Sequence, residues 1–197
     1  MVFLDQTIAG VDTTSVTSDH FQSSFDICEY LFGLGHRYIG FIKDTGFGIT
    51  AVDERYKGYE QALFQKKISL RSELVLTIDG SKNIIEQAGK FLTGYNPMSA
   101  VIVSCKNSNM PYIFEAVKRY KIKVPSDMSI IVYDNEWEPY KSFLPFVPHY
   151  IDQCPQLLGR AAAQMVIDLI NKRPLTSRVN IVRSKLREGG SISKIQS

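Results

Sequence analysis

Three runs in this chain, Tyr38–Lys43, Ala100–Ser104 and Ser129–Tyr133, are largely apolar at successive positions instead of alternating. A strand of that kind has no face to turn to water, so it must be covered on both sides, as in a parallel sheet between helices. Shorter runs of similar character stand at Val2–Leu4, Ser15–Thr17 and Leu74–Ile78. Between the runs the apolar residues fall at helical spacing: Phe21, Phe25, Cys28 and Leu31; Val52, Tyr56, Tyr59 and Leu63; Ile84, Ala88 and Phe91; Met110, Ile113, Val117 and Tyr120; Leu158, Ala161, Met165 and Leu169.

Strand and helix alternating in this way predict right-handed βαβ units and a doubly wound α/β domain with a parallel sheet. With the run at 38–43 as first strand, the expected order across the sheet is 74–78, 38–43, 100–104, 129–134, 147–151. The switch point then lies between 38–43 and 100–104, and a ligand should bind beyond the carboxyl ends of those strands. Pro145, Pro148 and Pro155 make the passage from 139 to 155 extended and poor in helix. A last helix is expected over Leu157–Asn171, followed by a strand over Val179–Leu186.

Composition excludes several classes. With 23 basic and 20 acidic residues among 197, the net charge of +3 is too small to hold nucleic acid by charge alone. No run approaches the ~20 apolar residues of a membrane span, and Met1–Asp5 does not open like a signal peptide, so a cytoplasmic location is expected. Cys28, Cys105 and Cys154 are odd in number and widely spaced, which points to free thiols and neither a disulfide framework nor a metal site. No cofactor is expected.

The stretch Gly33–Gly48 contains the features that most suggest catalysis. Gly33 or Gly35 can end the preceding helix in a left-handed conformation. His36 and Arg37 then meet the negative end of that helix. His36 falls at the amino end of its strand, opposite the expected site, and reads as scaffold. The loop from Asp44 to Thr50 places Gly46 and Gly48 after a strand, as a dinucleotide-binding turn would, with Asp79 as a ribose-binding acid. Ala51 takes the third glycine's place, the loop is long, and Asp79 stands further on than the usual ~20 residues, so the match is poor.

Motifs along nearly the whole chain then point to one family. Val2-Phe3-Leu4-Asp5 and Ser15-Val16-Thr17-Ser18-Asp19, the run L-G-H-R-Y-I-G-F-I (34–42), E-R-Y-K-G-Y-E-Q-A-L (54–63), V-P-S-D-M-S-I-I-V-Y-D-N (124–135) and I-D-Q-C-P-Q-L-L-G-R-A-A-A (151–163) occur in order. Together they resemble the effector-binding domain of the LacI/GalR family of bacterial repressors. The resemblance implies a type I periplasmic-binding-protein-like fold, no enzymatic activity, a small-molecule effector, homodimerisation, and DNA contact only through a domain absent from this chain. It implies that the chain is a fragment, with a complete carboxyl-terminal lobe from residues 20–150 and 178–190, and a partial amino-terminal lobe from residues 1–19 and 153–175.

The resemblance also assigns residues. Arg55 matches the family's effector-contacting arginine, the other reading being a surface arginine on a helix. Asp134 matches its effector-contacting aspartate, the alternative being a cap on the following turn. Where the family commonly has Asn-Asp, this chain has Lys106-Asn107, which favours a phosphorylated or acidic sugar over a neutral one unless Lys106 points to water. Thr45 and the loop up to Thr50 either line the same mouth or do not. Phe114 on the helix over Met110–Tyr120, with Trp137, Tyr140 and Phe143, matches the family's dimer contacts or else folds onto its own core. The expected function is therefore an effector-sensing, dimerising domain of a repressor, its effector a sugar or sugar derivative. The alternatives are a periplasmic sugar-binding protein on the same fold and a nucleotide-dependent α/β enzyme using Gly46, Gly48 and Asp79.

Overall fold

The computed structural model describes residues 1–5, 14–44, 50–80, 83–135 and 137–195. Two sheets form. The larger has six strands, β3 (Ile39–Asp44), β4 (Val75–Ile78), β5 (Ala100–Ser104), β6 (Ser129–Tyr133), β7 (His149–Asp152) and β9 (Lys185–Arg187), in the order β4-β3-β5-β6-β7-β9. The first five are parallel, in the order expected, and β9 closes the far edge antiparallel to β7.

The successive apolar residues of these strands divide between two cores. Ile42, Val101, Val103, Ile130 and Val132 pack under α3 (Ile84–Gly94) and α4 (Met110–Arg119), with Leu92, Ile113, Phe114 and Val117. Ile39, Phe41, Ala100, Ile102, Ile131 and Tyr133 pack under α1 (His20–Gly33) and α2 (Thr50–Gln65), with Ile27, Leu31, Tyr59 and Leu63. Each of the larger side chains contributes about 1.5–3 kcal/mol on full burial. That is why polar alternation is missing from these strands. Helices α1 and α2 cross closely enough that a Cβ at Gly58 would lie 2.2 Å from the Phe21 carbonyl oxygen. The glycine of the E-R-Y-K-G-Y motif is thus required by packing.

The end of α1 answers the question raised by Gly33–Arg37. Gly35 takes the left-handed conformation at φ 95°. Arg37 donates from Nη1 to the carbonyls of Phe32 and His36 at 3.0 and 2.9 Å, at the carboxyl end of the helix. His36 is fully buried, with Nδ1 2.9 Å from Ser99 Oγ and Nε2 3.0 Å from the Ser193 carbonyl. A carbonyl only accepts, so Nε2 carries the proton and Nδ1 accepts from the serine. The ring ties the strap at 190–195 to the base of the sheet, which is a scaffold role.

The smaller sheet has the order β1-β2-β8, from Val2–Leu4, Thr14–Ser18 and Val179–Val182, all parallel. The sixteen-residue helix α5 (Pro155–Ile170) covers it, burying Leu158 and Met165 against Val16. Leu4, Ile167, Ile170 and Ile181 remain exposed, Ile170 to 73%. The segment expected as one strand over Val179–Leu186 is instead two: β8 pairs with β2 in the small sheet and β9 with β7 in the large one. Assigning all of 178–190 to the larger lobe is therefore corrected, because the chain changes sheets at Arg183–Ser184. Two further crossings run at Asp19, between β2 and α1, and at Gln153–Cys154, between β7 and α5. Asp19 fastens the first crossing to the third: its N–H donates to the Val182 carbonyl at 3.1 Å, and its Oδ1 accepts from Ser184 N and Oγ at 2.8 and 2.5 Å.

Candidate functional site

The carboxyl ends of β5 and β6 and the first turns of α2 bring together an arginine, a tyrosine and an acid. Arg55, near the start of α2, is buried at 7% exposure. Its guanidinium carbon lies 3.9 Å from the centroid of the Tyr133 ring, and Nη1 donates to Ser104 Oγ at a long 3.4 Å. Its Nε is buried with no hydrogen-bond partner. A desolvated cation on an aromatic face gains about 2 kcal/mol. Removing a charge from water costs several. The ring alone does not compensate this guanidinium.

Asp134 follows β6 in the left-handed conformation, φ 62°, a strained position for a residue other than glycine. Its N–H donates to the Ile151 carbonyl at 2.8 Å, and its Oδ2 accepts from Gln153 Nε2 at 2.6 Å. Burial pushes its carboxyl above the usual carboxylate range and nearby Asp5 adds to that; the Gln153 bond and the positive charge of Arg55 pull the other way. Asp5, at the end of β1, reaches the same place from the small sheet. Its Oδ1 accepts from Ser18 N at 3.1 Å and lies 3.1 Å from Nε2 of buried His20.

Lys106 has its side chain exposed, while its backbone N–H donates to Asp44 Oδ2. The other oxygen of Asp44 accepts from Asn109 Nδ2 at 2.6 Å. The buried carboxylate at the end of β3 therefore fixes the turn carrying Lys106 and Asn107 across the switch point. Arg55 and Asp134 are thus brought into one neighbourhood and Lys106 into the adjacent turn. The Asn107 side chain and Thr45, like Gly46 and Gly48, lie outside the described residues.

Reading the sequence missed Asp5, His20, Asp44, Tyr133 and Gln153. Gln153 stood in the I-D-Q motif but served only as a boundary, and Asp44 was legible as an acid ending a buried strand. Nothing in the sequence paired Asp5 with His20.

The aromatic residues expected at an interface divide. Trp137 is buried, its ring 5.9 Å from that of Tyr150, and Phe114 sits in the core beneath α4. Trp137 packs against its own core, while Phe114, though buried, also lines the groove beside α4. Tyr140 is half-buried and Phe143 is 76% exposed. They border an apolar groove of about 660 Å³ between α4 and residues 140–146, floored by Val117, Ile122 and Phe146. Among the described residues no helix is long and apolar enough to cross a membrane, and no group of three or more His, Cys, Asp or Glu could hold a metal.

A two-sheet α/β body with polar residues gathered between its sheets defines a class. Residues 28–192 match the family model described as a periplasmic binding protein-like domain, and the chain belongs to that family. Among curated proteins it is similar to the HTH-type transcriptional regulator RegA of Clostridium saccharobutylicum, 26% identical over 88% of this chain and 52% of RegA. It is similar also to the HTH-type transcriptional repressor PurR of Yersinia enterocolitica, 30% identical over 98% of this chain and 56% of PurR. The chain thus spans about half the length of the curated relatives it matches. Among solved structures, a complex of the transcriptional regulator CelR with cellobiose superposes with a TM-score of 0.80 at 19% identity, over 96% of this chain and 58% of CelR. That likeness extends to the fold.

Proposed function

We propose that this chain is the effector-sensing and dimerising part of a LacI-family transcriptional repressor, acting in the cytoplasm and reaching DNA through a separate domain. The convergence of Arg55, Tyr133, Asp134 and Gln153 at the strand ends facing the small sheet carries the reading. A planar five-donor group, an aromatic ring and a carboxylate held by an amide are what a small polyhydroxylated molecule needs for orientation. Three chain crossings beneath that cluster let the ligand bias one arrangement of the two sheets over another. The likeness to regulators, one of them solved with cellobiose, supports a sugar or sugar derivative as effector. Nothing in this role asks for bond-making chemistry.

Thermal-shift screening against sugars and sugar derivatives tests the reading. Stabilisation by a member of that panel, lost in Arg55→Ala, is expected; stabilisation by dinucleotides alone would overturn it. For the homodimer, exposed Phe143 beside the apolar groove is the proposed anchor. Sedimentation of Phe143→Glu should give a monomer where the parent chain gives a dimer, and an unchanged dimer would reject that anchor.

A further inference from the structure

The arginine at the centre of this site is a buried charge with no contact ion pair among the described residues; Asp134 acts on it only through its longer-range field. Among the described residues no carboxylate lies within ion-pair distance of Arg55, and its hydrogen bonding amounts to the long contact with Ser104. A guanidinium does not shed its proton at any ordinary pH, so the charge persists whatever its surroundings.

The acids nearby are engaged elsewhere. Asp44 is held by Lys106 N and Asn109, Asp5 by Ser18 N and His20, and Asp134 by Gln153 through one oxygen. Tyr133 occupies one face of the guanidinium, and Nε is left buried with no hydrogen-bond partner. The exposed Lys106 adds a second positive charge at the end of β5. A neutral hydroxyl placed against Arg55 would fill a hydrogen bond and leave the guanidinium without a contact ion pair. A carboxylate or phosphate would do both at once, in the bidentate geometry that guanidinium favours.

We propose that the effector carries an anionic group, a carboxylate or a phosphate, seated on the Arg55 guanidinium with Lys106 at the rim. The assignment rests on the effector-site reading above and names the ligand class for that site. It makes Arg55 the residue that selects acidic derivatives over their neutral parent sugars.

Calorimetry on the 197-residue chain tests it, using hexose phosphates and hexonic acids, each beside its neutral parent sugar, with inorganic phosphate as the bare anion. At least one anionic derivative should bind about tenfold or more tightly than its parent. The affinity should fall with added salt. Arg55→Gln should abolish the preference, and Lys106→Gln, at an exposed position that does not endanger folding, should weaken anion binding severalfold. The phosphate and carboxylate arms distinguish the two sources of charge. A neutral sugar that binds as tightly as its acidic derivatives, and depends on Arg55, would overturn the anionic assignment and leave the sensor reading intact. If no compound binds in an Arg55-dependent way, both readings fall.

Discussion

Gln153 donates from Nε2 to Oδ2 of Asp134 at 2.6 Å, so an amide on the crossing between β7 and α5 holds the carboxylate that ends β6. A hydrogen bond to a charged group contributes about 1.5–3 kcal/mol. Gln153→Ala should therefore lower stability by about that amount and raise the Asp134 pKa beyond its already elevated position, because the bond is one of the influences holding it down. Carboxyl titration by NMR, alongside urea unfolding, checks both. An unmoved Asp134 titration would show that the amide does not govern this acid.

Asp44 accepts from Lys106 N and from Asn109 Nδ2 and so anchors the turn after β5. Removing the carboxylate in Asp44→Ala strands two donors, at about 1–3 kcal/mol each. Asp44→Asn keeps the shape but turns an amide N–H₂ toward one of the donors, and should fall between parent and alanine variant in urea midpoint. Faster hydrogen exchange at Lys106 and Asn109 in both variants is the local signature.

His36, just before β3, and His149, the first residue of β7, are both buried and both bind the strap near the carboxyl end: His36 to the Ser193 carbonyl, His149 through Nδ1 to Ser191. Burial depresses both pKa values; a bond to Ser193 opposes this at His36 and the charge of Glu188 at His149. A histidine held neutral in the fold contributes stability that is complete above its unfolded pKa of about 6.5 and is lost as pH falls through the lower folded value. Unfolding free energy should thus decline from pH 7 toward 5, each histidine adding a slope of up to about 1.4 kcal/mol per pH unit. In His149→Asn that decline should be shallower. A flat profile across the same range would contradict the assignment.

Gly58→Ala introduces a Cβ against the Phe21 carbonyl, a backbone atom that cannot rotate away. Helices α1 and α2 must separate to admit it, at about 1–3 kcal/mol or more. Because Arg55 lies one turn before Gly58, ligand-induced stabilisation should fall together with the thermal midpoint. Gly33→Ala, where nothing lies within 4 Å of the added carbon, serves as the control and should be close to neutral.

The large sheet was legible because its strands and helices bury residues in fixed periods. Ile102 and Val103 point to opposite cores, and only a strand covered on both faces needs both to be apolar. His36 was legible as scaffold from its place at the amino end of a strand. The split of Val179–Leu186 was not, since Val179, Ile181 and Leu186 read as one apolar segment and only their pairing partners distinguish two sheets. The site was half legible. Arg55 and Asp134 stand in local motifs, whereas the Asp5–His20 and Asp134–Gln153 pairs join elements distant in sequence, and no periodicity encodes which acids meet which donors.

Asp19 and Ser184 bind two of the three crossings into a single strut. Displacing either segment without the other would break these hydrogen bonds, so the sheets are joined through the chain at that strut and at the segment around Gln153. One of those two junctions carries the amide that grips Asp134. A ligand that displaces this carboxylate would therefore pull on a junction between the two sheets.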